Sequence, residues 1–199
     1  MRCGACSMPP AEGAETRRLF FALWPDGAVR EALAGLRHGE SPRTGRRVPD
    51  ANLHLTRAFV GNVTAEQRSC LEAAAATVTG TSFTLTLDRL GFWPRPRIVW
   101  AGATETPEAL RELVARLNAA LVPCGHQPEQ RPYQAHVTLT RKAQAPPRRR
   151  AIPPIVWAAA EFCLVESVSE EHGSVYRVLA RWPLRPSTAD SCAASPDTV

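Results

Sequence analysis

Short apolar runs, helix-period stretches and Pro- or Gly-punctuated turns succeed one another along most of the chain. RLFFALW (Arg18 to Trp24) is an apolar run stopped by Pro25, which predicts a strand; Asp26 then caps a helix whose apolar positions Val29, Leu33 and Leu36 keep helical spacing. A basic loop from Gly39 to Pro49, carrying Arg43, Arg46 and Arg47, leads into NLHLTRAFVG, which alternates as a strand until Gly61. Thr64 with Gln67 three residues on is a capping box, opening an alanine-rich helix that ends near Gly80. Phe83, Leu85 and Leu87 alternate with threonines, and beyond the turn at Pro94 and Pro96 the run RIVWAG is their hairpin partner. Pro107, behind Thr106, takes a first helical position before the stripe Leu110, Leu113, Val114, Leu117 and Leu121. Gln134 to Arg141 is again a strand. KAQAPPRRRAIPP should be irregular, because prolines and three consecutive arginines oppose regular structure. IVWAAAEFCLVESV and SVYRVLARWPL then pair around a turn at Gly173.

The order strand, helix, H-x-T strand, two-stranded hairpin occurs twice: RLFFALW, helix, HLTRAFV, FTLTLDRL, and then RIVWAG, helix, HVTLTR, FCLVESV. This duplication predicts an α+β protein of two similar lobes, each a sheet with outer helices, and a cleft between them. Residues 1–16 and 186–199 are small, polar and Pro/Gly-punctuated, so they read as a disordered leader and tail around a bilobal domain at 17–185, with Met8 a possible true start.

Composition narrows the function classes. Of 199 residues 44% are hydrophobic and 22% charged, a globular profile, and no apolar run nears the roughly 20 residues of a membrane-spanning helix. Without an export signal the expectation is a cytoplasmic protein. The formal net charge is +5, and Lys142 is the sole lysine among 24 basic residues, so the positive charge is almost all guanidinium, suited to a phosphate-bearing partner as well as explicable by genomic bias. Cys3 and Cys6 form a lone C-x-x-C with no second ligand pair, which predicts no metal site; the remaining cysteines should be reduced.

The repeat places the same triplet in the cleft twice: His54-Leu55-Thr56 and His136-Val137-Thr138. On a strand, His and Thr project to one face while Leu55 or Val137 turns to the core. An imidazole that titrates near neutrality, beside a hydroxyl donor, can move a proton and hold an anionic oxygen. Two such units facing each other can run both halves of an acid–base reaction at phosphorus without a metal. Chance alone gives about 0.4 H-x-T triplets in such a composition, so the weight rests on the matching strand context. No carboxylate or third histidine accompanies either motif, and there is no G-x-S-x-G, P-loop or Rossmann fingerprint. His38, His126 and His172 sit in predicted loops or turns and read as surface residues.

RLFFALWPDGAVREAL, VPDANLHLTRAFVGNV, FTLTLDRLGFWPRPRIVWAG, RPYQAHVTLTRK and VYRVLARWPL, in this order, resemble the RNA 2′,3′-cyclic phosphodiesterases, also called 2′-5′ RNA ligases, of the two-histidine phosphoesterase superfamily. The resemblance implies a bilobal, pseudo-twofold fold of two antiparallel sheets, and metal- and cofactor-independent hydrolysis of an RNA terminal 2′,3′-cyclic phosphate to a 2′-phosphomonoester. A reversible 2′-5′ joining of RNA ends is also implied. On that analogy His54 donates a proton to the departing 3′ oxygen, His136 accepts one from water, and Thr56 and Thr138 hold the phosphate. Arg141 matches a phosphate-side arginine, while Tyr133 could stack on a base or be a plain core or rim aromatic. The motifs differ at their fourth residue. Leu139 is aliphatic, as is usual in the family, but its counterpart is Arg57, which alternation turns toward the interior; either the strand edge is open there or Glu66 or Glu72 pairs with it.

The expected partner is RNA ending in a 2′,3′-cyclic phosphate, met by a monomer. Two alternatives stand beside it: a phosphodiesterase for 2′-5′-linked oligonucleotides or other cyclic nucleotides, and a noncatalytic RNA-binding module using the loops Arg43 to Arg47 and Arg148 to Arg150.

Overall fold

The computed structural model describes residues 16–39, 44–171 and 173–187. The strands are β1 (Arg17–Leu23), β2 (Arg46–Arg47), β3 (Leu55–Val63), β4 (Phe83–Trp93), β5 (Ile98–Gly102), β6 (His136–Arg141), β7 (Ala151–Ala159), β8 (Glu161–Glu170) and β9 (Gly173–Pro183); the helices are α1 (Gly27–Gly39), α2 (Ala65–Ala76) and α3 (Glu108–Leu121). Local signals set the helix starts. Asp26 Oδ1 accepts the amide of Val29 at 2.8 Å, and Thr64 and Gln67 form the reciprocal capping box. Pro107 is the N-cap of α3 rather than its first residue, and α2 stops at Ala76, short of Gly80.

The strands form one antiparallel sheet in the order β7-β4-β5-β6-β3-β1-β8-β9, with β2 added to β6. Its halves, β6-β5-β4-β7 and β3-β1-β8-β9, mirror the sequence repeat, and between them a single residue pair, Leu55 opposite Val137, holds β3 to β6. The copies interlock. β4 from the first copy pairs with β5 of the second, and β8 from the second pairs with β1 of the first. Helices cross over as well: α1, which follows β1, packs on β6 and β7, while α3, which follows β5, packs on β3. The five stripe residues of α3 are all buried and join the apolar sheet face of Leu19, Phe21, Leu23, Leu55, Leu85, Leu87 and Val137 in one core. Each such leucine contributes about 1.5–3 kcal/mol when fully buried.

Several expectations need correction. Residues 151–154 of the proline-bearing loop are not irregular: they open β7, an outermost strand, and Pro153 and Pro154 fall at a shift in its register with β4, where proline's missing amide is tolerated. IVWAAAEFCLVESV is not one strand but two, broken at Ala160, because its parts serve opposite halves of the sheet. β3 runs past Gly61 to Val63, the extra residue being absorbed by a register shift against β1. His126 is buried rather than superficial, its Nε2 3.3 Å from Asn118 Oδ1. Residues 1–15 and 188–199, with Cys3, Cys6, Met8 and Cys192, lie outside the described residues, as do Arg43 and His172.

The cysteine expectation also fails for one pair. Cys70 of α2 and Cys124, at the 3-10 turn Val122–Cys124 after α3, form a disulfide with Cα atoms 5.7 Å apart; Cys163 is free and buried. Their sequence positions, 54 residues apart, carried no sign of it, since the α2–α3 packing that brings them together is tertiary. In the chain-entropy account a loop of that length stabilises the fold by about 4 kcal/mol. Cys70→Ser, or reduction of the wild type, should therefore lower Tm by roughly 10 °C in a thermal melt, with the unreduced protein as control; an unchanged Tm would mean the bridge adds nothing.

Candidate active site

Antiparallel pairing of Leu55 with Val137 fixes the site. Leu55 and Val137 are fully buried, so the residues flanking them, His54 and Thr56, His136 and Thr138, turn to the opposite face. The antiparallel direction sets His54 across from Thr138 and Thr56 across from His136, around a local twofold at the pair. The two triplets singled out in the sequence are thus brought together as one four-residue cluster in the cleft.

Each imidazole is oriented the same way. The Nδ1–H of His54 donates to the carbonyl of Asn52 at 2.7 Å, and that of His136 to Gln134 at 2.8 Å, leaving each Nε2 as the acceptor nitrogen of the neutral ring. The Thr56 hydroxyl lies 3.0 Å from His54 Nε2. Asn52 is itself held, its Nδ2 donating to Ser174 O at 2.6 Å, so the tip of the β8–β9 hairpin fixes the backbone that fixes His54. Buried Arg37 of α1 steadies the same approach by bonding Val48 O and pairing with Asp50 at 2.7 Å.

The walls are aromatic and unequal. His54 stacks on Trp24 (5.7 Å between centroids, 13°) and touches Phe20 and Tyr176 at 4.8 and 5.1 Å. His136 meets the edge of Trp93 at 4.6 Å, and Trp93 leans on Trp100 at 5.4 Å. Trp100 can lie flat across β4 only because residue 91 is glycine: a Cβ there would sit 2.0 Å from the indole. Burial pushes His54 down to about 4, against the bond to Asn52, and Arg141 and His136 push it further the same way. His136 is lowered too, by burial first and Arg141 as well, while its bond to Gln134 opposes the shift. Both shifts favour the neutral imidazole at pH 7.

Arg141 bears on both histidines, which alternation alone would not give three residues beyond Thr138. The β5–β6 ladder slips between Val99, opposite Thr140, and Trp100, opposite Thr138, so Leu139 is an extra residue and the bulge re-aims Arg141. β2 then sets Arg46 opposite Arg141 in the ladder, while the Arg46 guanidinium reaches the β8–β9 turn, where a Cβ at Gly173 would lie 1.8 Å from its Nη2. Gly45, at φ +105, permits this approach, since a Cβ there would lie 2.8 Å from Arg141 O.

Arg57 is neither at an open edge nor paired with Glu66 or Glu72. It is 4% exposed, donates from Nη2 to Leu110 O at 3.1 Å and lies 5.3 Å over the Tyr133 ring, while Glu72 pairs with Arg68. Tyr133 is half-buried and turns its hydroxyl inward, donating to Thr56 O at 3.2 Å. Among the described residues no three His, Cys, Asp or Glu side chains gather in a metal-binding group, and no helix is long and apolar enough to cross a membrane. The sequence reading missed Asn52, Gln134 and the aromatic walls. The backbone carbonyls leave no sequence signal, whereas the rings of RLFFALW and GFW were visible without their direction.

A family model described as the 2′-5′ RNA ligase superfamily matches residues 25–169. The chain belongs to this superfamily. Among its relatives here is the RNA 2′,3′-cyclic phosphodiesterase of Escherichia coli K12, 37% identical over 175 residues, covering 85% of this chain and 98% of the relative. The RNA 2′,3′-cyclic phosphodiesterase of Thermus thermophilus is 30% identical over 84% of this chain and 90% of its own. The crystal structure of E. coli LigT in apo form superposes with a TM-score of 0.78 at 36% identity, covering 86% of this chain and 99% of LigT; LigT complexed with 3′-AMP gives 0.77, also at 36%, over 85% and 99%. The superfamily membership and the LigT fold agree with the α+β arrangement described above.

Histidine NMR tests the electrostatics directly. The His54 ring should titrate near pH 4 and the His136 ring below the ordinary 6.5, both upward-shifted by inorganic phosphate in the cleft. A His54 titration at 6.5 in the free protein would contradict the burial described.

Proposed function

We propose that this superfamily member is a metal-independent RNA 2′,3′-cyclic phosphodiesterase that opens the terminal cyclic phosphate to a 2′-phosphomonoester. The observation that carries this reading is the pair of Nε2 atoms presented from opposite sides of a local twofold, that of His54 beside the Thr56 hydroxyl, with Arg141 acting on both. Relatives bearing the name of that activity support it.

The reaction divides between the two motifs. His136 Nε2 takes a proton from water as its oxygen attacks phosphorus, and His54, protonated, gives one to the 3′ oxygen as the P–O3′ bond breaks. Thr56 and Thr138 donate to the nonbridging oxygens, and the Arg141 guanidinium offsets the charge that builds there. An imidazole held to about 4 is neutral in the empty site; the bound phosphate raises it, and once protonated it is a strong acid for an alkoxide leaving group. If a 5′-hydroxyl replaces water, the same bond cleavage leaves a 2′-5′ linkage, which is the joining activity in the superfamily's name. Arg141, whose charge bears on both histidines, supports an RNA partner through its phosphate. Because both motifs lie on one chain, the site needs no second copy, which supports action as a monomer; the reading places it in the cytoplasm.

Incubation with an RNA ending in a 2′,3′-cyclic phosphate should yield a 2′-phosphate, with EDTA without effect; a 3′-phosphate or unchanged RNA would sink the proposal. His54→Ala and His136→Ala should each lower kcat by about 100- to 10,000-fold. The pH dependence follows from the lowered imidazoles: kcat/KM should be bell-shaped with its maximum below pH 6.5. It falls above that maximum as His54 loses its proton, and below it as His136 gains one.

A further inference from the structure

Beyond Leu55 and Val137 the two motif strands diverge, and no further ladder pair joins them among the described residues. The carbonyl of Thr56 meets a side chain instead, the Tyr133 hydroxyl at 3.2 Å, and Tyr133 stands three residues ahead of His136. That bond is therefore a second polar tie between the motifs, made where ladder pairing has ended. Arg57, the residue after Thr56, covers the Tyr133 ring with its guanidinium and is anchored to α3 through Leu110 O. Its setting is costly. Arg57 is almost wholly buried, and its Nε and Nη1 have no hydrogen-bond partner. An aliphatic side chain would fill that place at lower cost, as Leu139 does at the matching position of the second motif, where it is fully buried. A guanidinium retained there needs a return other than stability.

We propose that Arg57 and Tyr133 are a positioning pair that holds Thr56, and through it His54, in register with the second motif, an inference resting on the phosphodiesterase reading. Arg57 fixes the ring, the ring aims the hydroxyl, and the hydroxyl fixes the Thr56 carbonyl. Thr56 Oγ1 then stays 3.0 Å from His54 Nε2 and faces the phosphate. Neither residue of the pair touches substrate; both act through Thr56.

The test is a double-mutant cycle on 2′,3′-cyclic nucleotide hydrolysis. Tyr133→Phe keeps the ring and removes only the hydroxyl, so Tm should stay within about 3 °C while kcat falls about five- to tenfold and KM changes less than about twofold. In a Thr56→Ala background the same substitution should cost less than about twofold, because the group it positions is gone. Arg57→Leu should lower kcat while leaving Tm unchanged or raised. Wild-type kcat in folded Tyr133→Phe, or an equal loss with and without Thr56, would overturn the proposal. A readout independent of turnover separates this from failure of the activity itself. By NMR, the His54 titration should rise in Tyr133→Phe as the Thr56 hydroxyl loosens from neutral Nε2, and should not respond to Tyr133→Phe in the Thr56→Ala background. No movement in the first case would overturn the positioning role even if the protein hydrolyses nothing.

Discussion

Everything at the candidate site depends on one contact, the antiparallel pairing of Leu55 with Val137. Among the described residues it is the one pairing that joins the two four-stranded halves in the sheet, and it sits at the centre of both H-x-T triplets. Because side chains alternate, burying these two residues in the core obliges the four flanking polar groups to face the other way. Because the strands are antiparallel, each histidine is set across from the other motif's threonine. The interlocked connections, β4 onto β5 and β8 onto β1 with α1 and α3 crossing, secure so narrow a junction from both sides.

The junction has an electrostatic consequence. Two imidazoles at the floor of a cleft lined by Phe20, Trp24, Tyr176, Trp93 and Trp100 lose hydration, and Arg141 adds like charge to both. Both imidazoles are therefore held toward the neutral form beside a guanidinium. In the proposed reaction a bound phosphate diester raises the lowered imidazole that gives up a proton, so binding and protonation of that group go together. The twofold is chemical in the motifs but not in the walls: three rings crowd His54 and one meets His136, which gives equivalent residues inequivalent environments.

Much of this was legible in the residues. Period-two alternation found the motif strands, capping signals at Asp26 and Thr64 found two helix starts, and the strand–helix–strand repeat found the halves. His54, Thr56, His136 and Thr138 were placed together by applying alternation to that repeat. Where the reading failed, the deciding partner was distant in the chain. Arg57 had no sequence neighbour to reveal Leu110 or Tyr133, and Cys70 none to reveal Cys124. The prolines of 151–154 argued against a strand until the sheet order made β7 outermost.

Local sequence was enough for most of the elements, the duplicated order and the two H-x-T motifs, since these depend on periodicity and on side-chain type. The surroundings of the two motifs were left to the folded chain. Folding selected Nε2 through the carbonyls of Asn52 and Gln134, lowered both imidazoles by burial, and re-aimed Arg141 with a bulge at Leu139. It also brought Arg57 and Tyr133 beneath Thr56. Hydrogen-bond direction, dehydration and register are properties of surroundings built from residues far apart in the chain, and only the folded arrangement supplies those surroundings.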